Sequence, residues 1–178
     1  PPDCAREASH QRSITINAYA RTDGLWDIEG HLTDAWNKPV PRAGGLLPPG
    51  EPMHSMWLRL TVDATATIVA VQADTDAGPY DKACAAITPD YGQLVGVRVA
   101  RGYRDAIRRL FGRTAGCTHM NELAGVMGSA VLQAMWEVLT QNADEKPFSI
   151  DGCHALKSSG AQVAQFFPRW YRPPPDGG

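Results

Sequence analysis

Hydrophobic and polar positions alternate through the first half of the chain. SITINAYAR (13–21) alternates and is rich in β-branched residues, which predicts a strand. LWDIEGHLTDAW (25–36) sets Trp26, Ile28, Gly30 and Leu32 against Leu25, Asp27, Glu29 and His31, and the Asp23-Gly24 turn joins both runs into a hairpin. HSMWLRLTVD (54–63) places His54, Met56, Leu58 and Leu60 on one face, with Trp57, Arg59 and Thr61 on the other. A turn at 63–66 leads into TIVAVQADT (67–75). The pattern predicts about four antiparallel strands in a meander, with one apolar face in need of cover.

The period then lengthens. GYRDAIRRLFG (102–112) spaces Tyr103, Ile107, Leu110 and Phe111 as a helix does and ends on Gly112, a natural C-cap. A long helix is expected near 118–141, with Thr118 as N-cap and Met120, Leu123, Met127, Val131, Met135 and Val138 as its core stripe. A short helix follows near 158–166. Strands followed by helices make the fold class α+β, with helices covering one face of the sheet. The reading is a single domain over 1–178. It has a loose N-terminal arm (1–10), a loop at 37–52 carrying five prolines and three glycines, and a tail (142–178) whose late aromatic cluster docks it on the body.

Composition changes this picture little: 43% hydrophobic and 20% charged residues suit a globular chain of 178. The formal charge of −2 supplies no basic field for nucleic acid or an anionic membrane, and no apolar run approaches a membrane span. The opening residues do not read as a signal peptide. Cys4, Cys84, Cys117 and Cys153 are scattered without a CxxC pair, which favours reduced thiols and a cytoplasmic protein.

Two constellations could carry chemistry. His54, Cys84, Cys117 and His119 are soft donors from separate segments that can meet at one end of a sheet-and-helix layer, a donor set for zinc or iron. The head of a long helix also favours a thiolate at Cys117. A metal held there with an open position would act as a Lewis acid, with Tyr80 and Glu122 as candidates for proton transfer. The competing set is Glu29 and His31, parallel on one strand face near Arg59, with Trp57 beside them. Each has a plainer reading, as buried packing or as a solvated charged face. Cys153-His154 sits in a turn, since sequence neighbours rarely ligate one ion.

Two resemblances add to this. DGLWDIEGHLTD, HSMWLRLTVD, GCTHMNEL and GCHALKSSG resemble the signature segments of a bacterial family of domains of unknown function, over about residues 12–171. That likeness implies a soluble bacterial protein and, loosely, aromatic-compound catabolism. More remotely, residues 54–140 resemble the scaffold proteins of iron–sulfur cluster assembly and their sulfur-acceptor relatives. His54 stands where that family's strand begins with aspartate, Cys117 falls on a metal-site cysteine, and Cys84 is the candidate for a second. Gly116 replaces the family's histidine before the helix cysteine, while His119 follows two residues after it. The expectation is a small-molecule enzyme, a metal-assisted lyase or hydrolase that forms a homodimer through its under-covered aromatics. A metal or sulfur carrier and a non-catalytic ligand-binding module are the alternatives.

Overall fold

The computed structural model describes residues 3–142 and 144–174, which fall into two compact units divided between Trp136 and Glu137. The first unit is built on an antiparallel four-stranded sheet in the order β1 (His10–Ala20), β2 (Trp26–Trp36), β5 (Pro52–Val62), β6 (Ile68–Ala77). The meander predicted from alternation is therefore present, and the fold is α+β. Inside the Pro/Gly-rich loop a small hairpin forms from β3 (Val40–Arg42) and β4 (Gly45–Leu47), which buries Leu47. The first strand begins at His10, at the edge of the expected arm.

Helices α1 (Asp81–Ala86), α2 (Tyr103–Phe111) and α3 (Thr118–Ala134) follow, with a 3-10 segment (Thr88–Leu94) between the first two. The helix α3 lies on one face of the sheet. Met120, Leu123 and Met127 are fully buried there with Ile28, Leu32, Met56, Leu58 and Leu60. Their spacing of three and four residues on α3 puts one apolar stripe against the alternate positions of β2 and β5. Gly30 makes the approach possible, since a Cβ there would stand 2.7 Å from Met127 Sδ and 2.8 Å from Leu123 Cδ1. Gly128 likewise admits the ring of Tyr103 from α2.

The long helix stops at Ala134, before the expected boundary near 141; Met135 closes it with an N–H donated to Val131. A short turn of helix, α4 (Trp136–Leu139), follows. Nothing in the local sequence marks that stop, because the apolar stripe runs on to Val138. Cys117, not Thr118, is the N-cap. Its side chain makes no capping hydrogen bond; its N–H is donated to the phenol oxygen of Tyr91 at 3.1 Å. The Tyr91 hydroxyl in turn donates to Asn121 Oδ1 at 2.6 Å, and Asn121 Nδ2 donates to the Phe111 carbonyl at 2.8 Å. A buried tyrosine thus clamps the head of α3 to the end of α2.

In the second unit α5 (Ala161–Phe166) is accompanied by the ion pairs Arg169–Asp144 (2.8 Å) and Lys146–Asp151 (2.6 Å). Lys146, with the Ser158 N–H, holds the Asp151 carboxyl near the bottom of the carboxylate range. No helix among the described residues is long and apolar enough to cross a membrane.

Candidate metal centre

The alternation on β2 continues past Leu32 to Asp34, so a carboxylate occupies a position on the apolar, helix-covered face. It is 1% exposed. Burying a carboxylate is unfavourable unless charge and hydrogen bonds compensate, and four side chains converge on it. Register pairs Asp34 with Arg12 on β1 and with His54 on β5. Arg12 forks onto both oxygens, Nε to Oδ1 at 2.8 Å and Nη2 to Oδ2 at 2.7 Å, and its remaining arm reaches Glu122 on α3. His10 Nε2 lies 3.0 Å from Oδ1. On the other side His54 Nδ1 is 3.2 Å and His119 Nε2 3.6 Å from Oδ2.

The two imidazoles, one from the sheet and one from the first turn of α3, stack with ring centroids 3.7 Å apart. His54 Nδ1 is buried 3.2 Å from Asp34 Oδ2, a contact that falls short of a well-formed hydrogen bond, and it has no other hydrogen-bond partner among the described residues. Orphaned buried nitrogens are uncommon and call for an explanation. Burial lowers the pKa of both rings, for His54 with the neighbouring His119 adding to it, so both are neutral near pH 7. Burial alone would raise the Asp34 carboxyl. The Arg12 hydrogen bonds and charge, together with the two histidines, instead hold it below the ordinary range.

Asp34, His54 and His119 each present one ligand atom, all within 4.8 Å of one another. For a metal at about 2.0–2.1 Å from each donor, neighbouring ligands on a tetrahedron stand roughly 3.4 Å apart. The 3.2 and 3.6 Å separations bracket that spacing. Two neutral imidazoles and one carboxylate are a donor set that zinc and non-haem iron both accept.

Of the residues expected in the site, His54 and His119 are therefore brought together. Cys117 is adjacent: its Sγ lies 3.9 Å from His119 Nδ1, the ring nitrogen turned away from Asp34, and 3.8 Å from Met56 Sδ. Cys84, on α1, is placed against the backbone of Gly78. Glu122 joins the cluster through Arg12. Tyr80 stands exposed at the head of α1. Cys153 and His154 lie in an exposed turn of the second unit. Sequence reasoning missed Asp34, Arg12 and His10; Asp34 carried a signal, as a carboxylate in phase with Ile28 and Leu32.

Glu29 and His31 lie on the opposite face of the sheet, as their phase requires. Glu29 pairs with Arg59 at 3.3 Å. His31 Nε2 is 3.0 Å from Ser55 Oγ, and its ring stacks on Trp57 at 3.7 Å.

The first unit is thus an α+β sheet-and-helix fold with an Asp-His-His cluster around a buried carboxylate at one end of its sheet. Residues 10–133 match the model of a family described as Protein of unknown function (DUF2889), and the chain belongs to that family. The matched span contains Arg12, Asp34, His54 and His119. No curated protein and no solved structure matches the chain.

Proposed function

We propose that this protein is a small-molecule enzyme that holds one divalent metal ion, zinc or iron, on Asp34, His54 and His119. The chemistry is metal-assisted, a hydrolase or lyase reaction. The observation that carries the reading is the convergence of two imidazoles on one buried carboxylate, one of those rings having a buried nitrogen without a hydrogen bond. Three protein ligands leave positions for water and for a substrate oxygen, and the ion supplies Lewis acidity there.

The chain's own residues have separable tasks. Arg12 fixes the orientation of Asp34 through two parallel hydrogen bonds and ties it to Glu122. Glu122, exposed and three residues beyond His119 on the helix, is the group that moves a proton between substrate and solvent. Cys117 and the Tyr91 clamp set the position of the helix head that carries His119. An aromatic catabolite is the substrate class this reading takes, on the family resemblance alone. Four free thiols favour a reducing compartment such as a bacterial cytoplasm.

Elemental analysis of protein purified without chelator tests the reading. Near-stoichiometric zinc or iron is expected, lost in Asp34→Asn and in His54→Ala but retained in Cys117→Ser. Absence of metal from the wild type would refute it. Loss of metal in Cys117→Ser would put the thiol in the coordination set and favour a carrier that hands metal or sulfur on.

A further inference from the structure

The face of the sheet opposite α3 carries a second arrangement that the metal chemistry does not use. Trp57 is 42% exposed, yet it is held rigidly. His31 stacks on it with the rings 4° from parallel, and its Nε1–H is donated to Asp76 at 2.8 Å. Asp76 is delivered by an irregularity in the β5–β6 register beside Ser55, where a bulge re-aims a side chain. The polar edge of the indole is thereby satisfied, and what remains for a ligand is π surface.

A groove of about 320 Å³ opens beside that ring, lined by Glu29, Trp57, Arg59, Gln72 and Asp74. That volume is at the small end of ligand sites. Arg59 is engaged by Glu29 at 3.3 Å. Asp74 accepts one N–H from its neighbour Thr75 and otherwise faces solvent. Across this face four carboxylates (Asp27, Glu29, Asp74, Asp76) stand against two guanidinium groups (Arg21, Arg59).

We propose that this groove binds a small organic cation, an alkylammonium or guanidinium group seated against Trp57 and neutralised by Asp74. An indole beside an unpaired carboxylate is the combination that cations select. An anion meets net negative charge there, and an uncharged apolar ligand gains nothing from Asp74. A second copy of the chain would bring the same excess of carboxylates against itself. The site is independent of the metal reading, because its residues project from the other side of the sheet.

Choline and its neutral carbon isostere, 3,3-dimethylbutan-1-ol, test it. The chain has five tryptophans, so their indole N–H resonances are resolvable, with Trp57 assigned through a Trp57→Phe variant. Choline is expected to shift the Trp57 resonance saturably, whereas the isostere leaves it in place. Asp74→Asn, whose carboxylate supports no long-range contact, is expected to weaken choline about 2- to 5-fold with the fold and metal content unchanged. Trp57→Leu is expected to abolish binding; its amide spectrum checks that it folds.

No saturable shift at about 50 mM choline, or an equal response to the isostere, would overturn the proposal. So would a dimeric mass by light scattering that reverts to monomer in Trp57→Leu, since a second copy would then cover the face.

Discussion

Replacing Asp34 by asparagine keeps the shape of the side chain and removes its charge, and the structure sets the size of the effect. In wild type the carboxylate is almost wholly buried and accepts both donors of the Arg12 fork, at 2.8 and 2.7 Å, with His10 at 3.0 Å. Removing one partner of a fully buried ion pair costs about 3–5 kcal/mol. Arg12 is one-third exposed and recovers part of its hydration, which discounts the loss to about 2–3 kcal/mol in metal-free protein. Metal adds a second difference. A ligand that binds only the folded state stabilises it by about 2.7 kcal/mol when its free concentration is a hundred times its Kd. Wild type should therefore gain about that amount with zinc under those conditions, and Asp34→Asn almost none.

Urea denaturation, followed by far-UV circular dichroism with chelator and then with buffered zinc, reads both terms. The two losses are separable because the first persists in chelator. Equal stabilisation of wild type and variant by zinc would show that the ion binds elsewhere and would refute the assignment of Asp34. A variant as stable as wild type in chelator would refute the argument that Arg12 and Asp34 compensate each other's burial.

Three further perturbations examine the supports of the site. In metal-free protein the folded-state pKa of Asp34 lies below its unfolded value, so its contribution is complete above about pH 4 and is lost as pH falls below it. Arg12→Met removes the main cause of that depression and leaves burial, which raises the pKa, so the variant should be less stable than wild type near neutral pH, with the difference shrinking as pH falls below about 4; a difference that does not change with pH contradicts the assignment. Tyr91→Phe deletes the hydroxyl that accepts from Cys117 N–H and donates to Asn121, a buried polar loss of about 1–3 kcal/mol, measured by denaturant titration. Metal should still bind this variant, with lower affinity, because the head of α3 carrying His119 is less well held. Gly30→Ala places a methyl within 2.8 Å of Met127 and Leu123, and overpacking of this kind costs about 1–3 kcal/mol; a gain in stability would mean that the Met127 side chain yields freely.

Much of this geometry is implied by phase along the strands. Residues two apart share a face, so placing Met56, Leu58 and Leu60 inside also places His54 inside, and the same argument sends Glu29 and His31 to the face that carries Trp57. Asp34 obeys that rule as firmly as Leu32 does, and a carboxylate in an apolar phase is the sequence signal of a buried site. Its partners are less legible. Arg12 is recognisable only once the β1–β2 register is known, since a shift of one residue would turn it to the other face.

His119 raises a different problem: its distance from the sheet depends on how α3 docks, and that is decided by Gly30 and the Tyr91 clamp, which lie far apart in sequence. The cysteines are the converse case. Their chemistry makes them attractive as ligands, but helix geometry turns Cys117 toward the distal nitrogen of His119, and Cys84 packs on Gly78. A donor set is therefore better sought by asking which polar side chains share an apolar phase than by asking which residue types favour metals. By that criterion β2 and β5 nominate Asp34 and His54 directly, and the helix that covers them brings His119 to the cluster from its first turn.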